Sequence, residues 1–232
     1  MKKQMTLEEL RQSYEQLPSS NVSDALDALK LQRRLIVGLK PVSMTQPRMV
    51  GWAYTVRHLE RHPDAGDSFL LATHSKVIDQ LAEPGDVLVV EMSGRIDACS
   101  SGAILVQRGK LRGMKGFLID GGFRDANEAS EMQFPIFCKD FTPAKSGPHM
   151  ETVETKGPVN IAGTQVRQGD LLIGDESGIV VVAKKDVYAV YEAAYNIYLQ
   201  EEKQMEMVKN GATLKEAKDA GIAYAKKILS EE

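Results

Sequence analysis

The chain has 232 residues, is 43% hydrophobic and 26% charged, and carries a formal net charge of -3 at pH 7. That length buries a substantial core within one domain, and the balance is that of an ordinary globular protein. It excludes an overall basic field for nucleic acid and an acidic disordered tail.

The opening "MKKQMTLEELRQSYEQL" is charged and has no apolar centre, so it does not read as a signal peptide. No apolar run approaches the roughly 20 residues that span a bilayer. A cytoplasmic protein without membrane or nucleic-acid partners is expected. Leu7, Leu10, Tyr14 and Leu17 recur at helical spacing, with Thr6 as cap and Glu9 closing a capping box. "PSSNVSDALDALK" predicts a second helix capped by Ser23, with Ala25, Leu26 and Leu29 on its buried side.

"MVGWAYTVRHL" alternates as a strand from Val50 to Leu59. "DSFLLATHSKVIDQLA" reads as a helix, and "EPGDVLVVEMS" as a turn and a strand buried on both faces. "SSGAILVQRGKLRG" fits a helix with small residues at its start. "MKGFLIDGG" is the next buried strand, "EASEMQ" a short helix and "FPIFCKD" another strand. Short β runs then follow, divided by "AGT", "QGD" and "GDESG". A long helical pattern starts near Asp186 and stops at Gly211, and "TLKEAKDAGIAYAKKILS" closes the chain. The expectation is one α/β domain over residues 1–232, with a mixed central sheet, helices on its faces and a protruding C-terminal helix.

The stretch "LIDGGFRDANE", Leu118 to Glu128, poses the chemical question. A strand ending there delivers Arg124 and Asp125 to the carboxyl end of a sheet, where open α/β sheets bind ligands. The two glycines allow a sharp turn and a close approach to a ligand. Arg124 offers a planar fork for a carboxylate, and Asp125 a hard oxygen for a divalent cation. Spacing alone favours a surface turn with a local ion pair. The Gly-containing helix start in "SSGAILVQRG" is either an anion site or simply a close-packed first turn. The histidines His58, His62, His74 and His149 have no ligand spacing and read as structural or surface residues. Cys99 and Cys138 form neither a disulfide framework nor a metal pair and read as small buried thiols. No P-loop, GxGxxG or GxSxG sequence occurs.

Taken together and in order, "VSDALDAL", "VGWAYTV", "EPGDVLVV", "RGMKGFLIDGGFRD", "FPIF" and "QGDLLIGDESGIVVV" resemble the RraA-like family. That family includes the 4-hydroxy-4-methyl-2-oxoglutarate/4-carboxy-4-hydroxy-2-oxoadipate aldolases, which also decarboxylate oxaloacetate, and the non-enzymatic regulator of ribonuclease E activity. The resemblance implies an α/β/α sandwich of the swivelling phosphohistidine-domain type. It also implies homotrimers, some paired into hexamers, with sites between subunits. By this resemblance Arg124 binds the carboxylate of a small 2-oxo acid and Asp125 ligates Mg²⁺ or Mn²⁺. Backbone amides of Gly102, Ala103, Ile104 and Leu105 hold the substrate. Glu201, with Glu202 as the alternative, completes the metal's water shell from a neighbouring subunit's C-terminal helix.

One departure stands out. The aldolase signature is an acid, twenty residues, then Arg-Asp; here the acid position is Ala103 and the glycine before it is Cys99. Asp97 is nearby but out of register. The resemblance therefore implies a metal-dependent carbon–carbon lyase that decarboxylates 2-oxo diacids better than it cleaves aldols. Two alternatives stand beside it. One is a non-catalytic, trimeric protein-interaction regulator. The other is a lyase on another hydroxy or oxo acid, with Asp97 or a partner-chain group as base.

Overall fold

The computed structural model describes residues 5–64, 74–145, 147 and 149–231. The Thr6 cap forms as expected: its hydroxyl accepts from Glu9 N–H at 3.2 Å while Glu9 reaches back to Thr6 N–H at 2.7 Å, opening α1 (Leu7–Ser13). The second helix, α2 (Ser19–Ala28), begins a turn earlier than the Ser23 cap predicts. The reason is tertiary. Ser19 donates both its N–H and its hydroxyl to Asp175, at 2.8 and 2.7 Å, and Pro18 occupies the cap position. That bidentate tie outweighs the intrinsic preference for a serine cap further along.

The strands are β1 (Leu35–Ile36), β2 (Lys40–Pro41), β3 (Met49–Glu60), β4 (Asp86–Ser101), β5 (Gly116–Phe123), β6 (Ile136–Phe141), β7 (Met150–Thr155), β8 (Val159–Ile161), β9 (Thr164–Val166), β10 (Leu171–Asp175) and β11 (Gly178–Val182). Nine of them form one sheet in the order β1-β11-β10-β3-β4-β5-β6-β2, with β7 also pairing β3. The β3-β4-β5-β6 centre is parallel, while β2, β7, β10 and β11 join antiparallel. The sheet is therefore mixed, as expected.

Alternation along β4 divides the core. Leu88 and Val90 face one way with Tyr54, Val56, Phe117 and Ile119; Val87 and Val89 face the other with Ala53 and Leu118. The first face is covered by α4 (Ala103–Leu111) and α5 (Ala126–Glu131) through Val106 and Ala129. It is also covered by the helical segment of α3 (His74–Lys76) and the wider turn Val77–Leu81. Further along this face lie α1, α2 and α6 (Val187–Lys209), which bury Leu10, Tyr14, Val22, Leu26, Val190 and Ala194 over Val50, Leu171 and Ile173. The opposite face is closed by the β8–β9 hairpin, through Val159, Ile161 and Val166. The layering is thus more specific than helices on both faces: helices gather on one side and a small β hairpin closes the other.

The helix expected in "DSFLLATHSKVIDQLA" lies partly outside the described residues; 74–81 of it is helical. The strand from "EPGDVLVVEMS" continues far beyond Ser93, to Ser101. Ser93 and Gly94 both adopt positive φ, 54° and 72°, and the register against β5 shifts three times beyond Glu91. Here the "IDGG" glycines find their purpose, which is not the one expected. Gly121 and Gly122 lie within β5 and make no turn. A Cβ on Gly121 would meet Met92 Sδ at 2.6 Å, and one on Gly122 would meet the Ala98 carbonyl at 2.5 Å. Their bare backbone admits the wandering course of β4, not a ligand.

The long helix α6 begins after Asp186 as predicted, though Asp186 makes no side-chain cap, and it ends at Asn210 before Gly211, whose φ is 87°. The last helix, α7 (Leu214–Glu231), spans almost the whole stretch expected to close the chain and opens on a second capping box, Thr213 with Glu216. It folds back on α6, where a Cβ on Gly221 would meet the Gln200 carbonyl at 2.6 Å. No described helix is long and apolar enough to cross a membrane. Cys99 and Cys138 are buried and neither is in a disulfide; burial pushes the Cys138 thiol up to about 12.

Candidate active site

Parallel strands β4 and β5 end side by side, Ser101 pairing with Phe123. Each is followed at once by a helix, so two helix starts meet at the carboxyl edge of the sheet. Arg124 N–H donates to the Ser101 carbonyl at 3.2 Å, which ties the second start to the first. Asp125 then takes a left-handed backbone, φ 57° and ψ 42°, and its carbonyl accepts from Ala129 to begin α5. Aspartate tolerates this conformation better than most residues, at a cost of about 1 kcal/mol. The turn aims the carboxylate back across the site, where Asp125 Oδ2 accepts from Ala103 N–H at 3.3 Å.

Gly102 makes that approach possible. It caps α4 with extended backbone and no side chain. A Cβ there would stand 2.5 Å from Asp125 Oδ2 and 2.9 Å from Arg124 Cγ. Any other residue would push the pair off the helix start. The positive end of the α4 macrodipole thus lies directly under the carboxylate.

Arg124 and Asp125 are adjacent but barely joined. Arg124 Nε lies 3.6 Å from Asp125 Oδ2, too far for a hydrogen bond, and each side chain is 42% exposed. Arg124 Nε itself is shielded and has no hydrogen-bond partner. A half-buried guanidinium edge without a partner is poised for an anion. The two residues line an open depression of about 110 Å³ together with Cys99, Ser100, Ser101, Gly102, Ile104, Leu105 and Lys145.

Most residues singled out in the sequence therefore converge. Arg124, Asp125, Gly102, Ile104 and Leu105 line one depression, and Ala103 contributes its amide. Leu105 N–H is already engaged, donating to the Gly102 carbonyl at 3.1 Å. Ile104 presents an 82% exposed side chain at the mouth. Glu201 and Glu202 are exposed on α6 and are not among the lining residues within one chain. Glu201 Oε2 accepts from the buried Asn21 side chain at 2.7 Å, so the helix surface holds it in a fixed place.

Asp97 is not brought to the site. It belongs to a separate open hollow with Glu60, Arg61, His62, Pro63, Arg95 and His149. Arg95 holds it in a fork at 2.9 and 2.5 Å and keeps its carboxyl below the usual range. A base drawn from Asp97 of the same chain is thereby ruled out.

Ser100, Ser101 and Lys145 were not found by sequence reasoning. The serines sit where β4 returns to β5 after its excursion, and only that return makes them a wall of the site. Lys145 follows β6 in "TPAKSGP"; Cys99 N–H donates to the Ala144 carbonyl at 3.0 Å and draws the loop in. Nothing in the local sequence marks Lys145, and the serines were marked only as part of the "SSGAILVQRG" helix start.

The donor set suits Mg²⁺ or Mn²⁺. Among the described residues no three His, Cys, Asp or Glu side chains cluster as a closed cage. One hard carboxylate beside an arginine whose Nε has no hydrogen-bond partner could serve a cation that keeps several waters and takes its remaining ligands from a substrate.

Comparison with known proteins agrees with this frame. The family model RraA-like (Aldolase/RraA) matches residues 19–181. A relative from Halalkalibacterium halodurans with the provisional name 4-hydroxy-4-methyl-2-oxoglutarate aldolase is 32% identical over 171 residues, covering 74% of this chain and 75% of its own. Protein DlpA of Legionella pneumophila is 26% identical over 92% of this chain, which spans only 34% of DlpA. Among solved structures, a protein of Pseudomonas syringae pv. tomato superposes with a TM-score of 0.81 at 27% identity, covering 94% of this chain and 96% of its own. Streptomyces coelicolor RraAS2, an unusual member of the RNase ES inhibitor RraA protein family, does so at 0.74 and 25%, covering 90% and 99%. On the family match over residues 19–181, and on a mixed sheet that delivers "GGFRD" beside the start of α4, the chain belongs to the RraA-like family.

Proposed function

We propose that the protein is a divalent-metal-dependent carbon–carbon lyase that decarboxylates 2-oxo diacids of the oxaloacetate type. The observation that carries the reading is the unsaturated Arg124–Asp125 pair lying over the start of α4.

Arg124 grips the carboxylate next to the keto group, its planar fork fixing the plane of the 2-oxo acid. Asp125 holds the cation, and Glu201 of a neighbouring copy, or Glu202, orders the water around it. When bound, Mg²⁺ or Mn²⁺ supplies Lewis-acid stabilisation of the negative charge that develops on the keto oxygen. Lys145 adds a second cation on the depression's rim, suited to the distal carboxylate. Decarboxylation breaks the C3–C4 bond; CO₂ leaves, and the electron pair moves into the C2–C3 enolate, which a proton later quenches at C3. That step needs no base.

Retro-aldol cleavage does need one, to take the hydroxyl proton. Ala103 offers a methyl group where the aldolase signature has an acid, and Asp97 is committed elsewhere. Aldol cleavage is accordingly the weaker activity. A screen of 2-oxo and hydroxy acids with Mg²⁺ or Mn²⁺, with Arg124→Ala as control, tests this. Oxaloacetate turnover exceeding aldol turnover supports it, and the reverse order sinks it.

A second reading, a trimeric regulator that binds a protein partner without catalysis, draws on Ala103 and on the likeness to RraAS2. No thermal shift with Mg²⁺ plus pyruvate or oxalate favours that reading over the enzyme.

A further inference from the structure

Two histidines without an assigned role are stacked inside the protein. His58 and His74 rings lie 4.4 Å apart at 26°. Both are buried, at 6% and 5% exposure. His58 Nε2 contacts Thr152 Oγ1 at 3.0 Å, while His58 Nδ1 and His74 Nε2 have no partner. His74 Nδ1 lies 2.9 Å from the Ser100 carbonyl and 3.2 Å from Ser100 Oγ.

The carbonyl can only accept, so His74 Nδ1 carries the proton. Burial holds the His74 pKa down to about 4, so at neutral pH the ring is uncharged and that is its single N–H. Ser100 therefore cannot pass its proton to this nitrogen, and a serine nucleophile activated by His74 is excluded. Ser100 Oγ is instead 3.3 Å from Ser101 Oγ.

The bonded carbonyl sits at a critical point. Residues 99–101 are where β4 rejoins β5 after two register shifts and across a third, so ladder pairing is sparse there. Cys99 N–H goes to the Ala144 carbonyl, the Ser101 carbonyl takes Arg124 N–H, and Gly102 follows at once. We infer that His74 is a positioning residue of the Arg124–Asp125 site: its Nδ1–H pins the Ser100 carbonyl, and so fixes the strand end that anchors Arg124 and presents the Gly102–Ala103 backbone beneath Asp125. His74 touches no substrate. Its effect passes through Ser100 and Ser101. The inference rests on the reading of that depression as a carboxylate-and-metal site.

Two variants separate the donor from the ring. His74→Phe keeps a ring on the His58 stack and removes the donor. His74→Asn loses the ring but places an amide N–H near the Nδ1 position. Titration of oxalate with Mg²⁺ into the full chain is expected to show about tenfold weaker binding for His74→Phe and near-wild-type binding for His74→Asn. The reverse order, with Phe as wild type and Asn impaired, assigns His74 to packing alone and overturns the inference. Backbone amide exchange at Gly102 and Ala103 reads the same contrast without any ligand. It should be about tenfold faster in His74→Phe, and slow again in His74→Asn. If wild type binds no oxalate, the proposed function fails while amide exchange still decides the role of His74. If His74→Phe does not fold, ¹⁵N imidazole spectra of the wild type decide: an Nδ1–H tautomer upholds the pinning, and an Nε2–H tautomer refutes it.

Discussion

The molecule holds two Arg–Asp pairs close in sequence, Arg95 with Asp97 and Arg124 with Asp125, and they are chemically opposite. Arg95 makes a two-point fork to Asp97 and a third bond to Glu60 at 2.7 Å. Each of its three guanidinium nitrogens has a partner within its own chain. Arg124 has a shielded Nε without a partner and stands 3.6 Å from Asp125. The difference comes from the backbone. Asp97 lies on an extended segment that leaves its side chain free to meet Arg95. Asp125 is turned left-handed and its carboxylate is drawn to Ala103 N–H. Sequence proximity makes a hydrogen-bonded fork only where the backbone permits it. Where the backbone leaves a loose 3.6 Å ion pair, both groups keep capacity for a ligand.

Removing the two acids should therefore have unequal effects. Asp125→Ala is expected to lower Mg²⁺-dependent decarboxylation by about 10³-fold, whereas Asp97→Ala leaves it near wild type. Steady-state rates above the metal-only background check this, and equal losses would break the contrast. Arg124→Ala should cost roughly 10²-fold in kcat/KM, and Arg124→Lys should recover little of it, since a point charge does not reproduce the fork. Arg95→Lys serves as the control and should leave kcat/KM near wild type.

Gly102→Ala sharpens the comparison from the backbone side. Its Cβ would sit 2.5 Å from Asp125 Oδ2, so the carboxylate must move. About tenfold weaker Mg²⁺–oxalate binding with little change in thermal stability is expected.

A separate effect concerns stability and pH rather than binding. Burial holds His58 and His74 below the ordinary histidine range, His74 at about 4. The unfolded chain therefore binds more protons than the folded one as pH falls. The stability is fully present above about pH 6.5. It declines as pH drops toward 4, by up to roughly 1.4 kcal/mol per pH unit for each histidine. Urea unfolding at pH 7 and pH 5 measures it, and His74→Phe should flatten the slope.

Much of this fold was legible from periodicity. The capping box at Thr6, the buried strands β4 and β5 and the two C-terminal helices all follow from local pattern. The start of α2 was not legible, because Ser19 is held by Asp175, distant in sequence. The glycines of "IDGG" were misread for a similar reason: what presses on them is the returning course of β4, which no local rule predicts. In the site, Arg124, Asp125 and Gly102 were legible through the family's motif order. Lys145 and His74 were hidden, because only tertiary contact brings Lys145 to the depression and His74 to the Ser100 carbonyl behind it.

The central claim is that Arg124 and Asp125 are joined only loosely, with no hydrogen bond between them, so that together they take a metal and a 2-oxo acid. Calorimetric titration of oxalate in the presence of Mg²⁺ tests it most directly, on wild type, Asp125→Ala and Asp97→Ala. Binding that Asp125→Ala abolishes and Asp97→Ala preserves is the predicted result; binding that survives in Asp125→Ala, or none in wild type, contradicts the account.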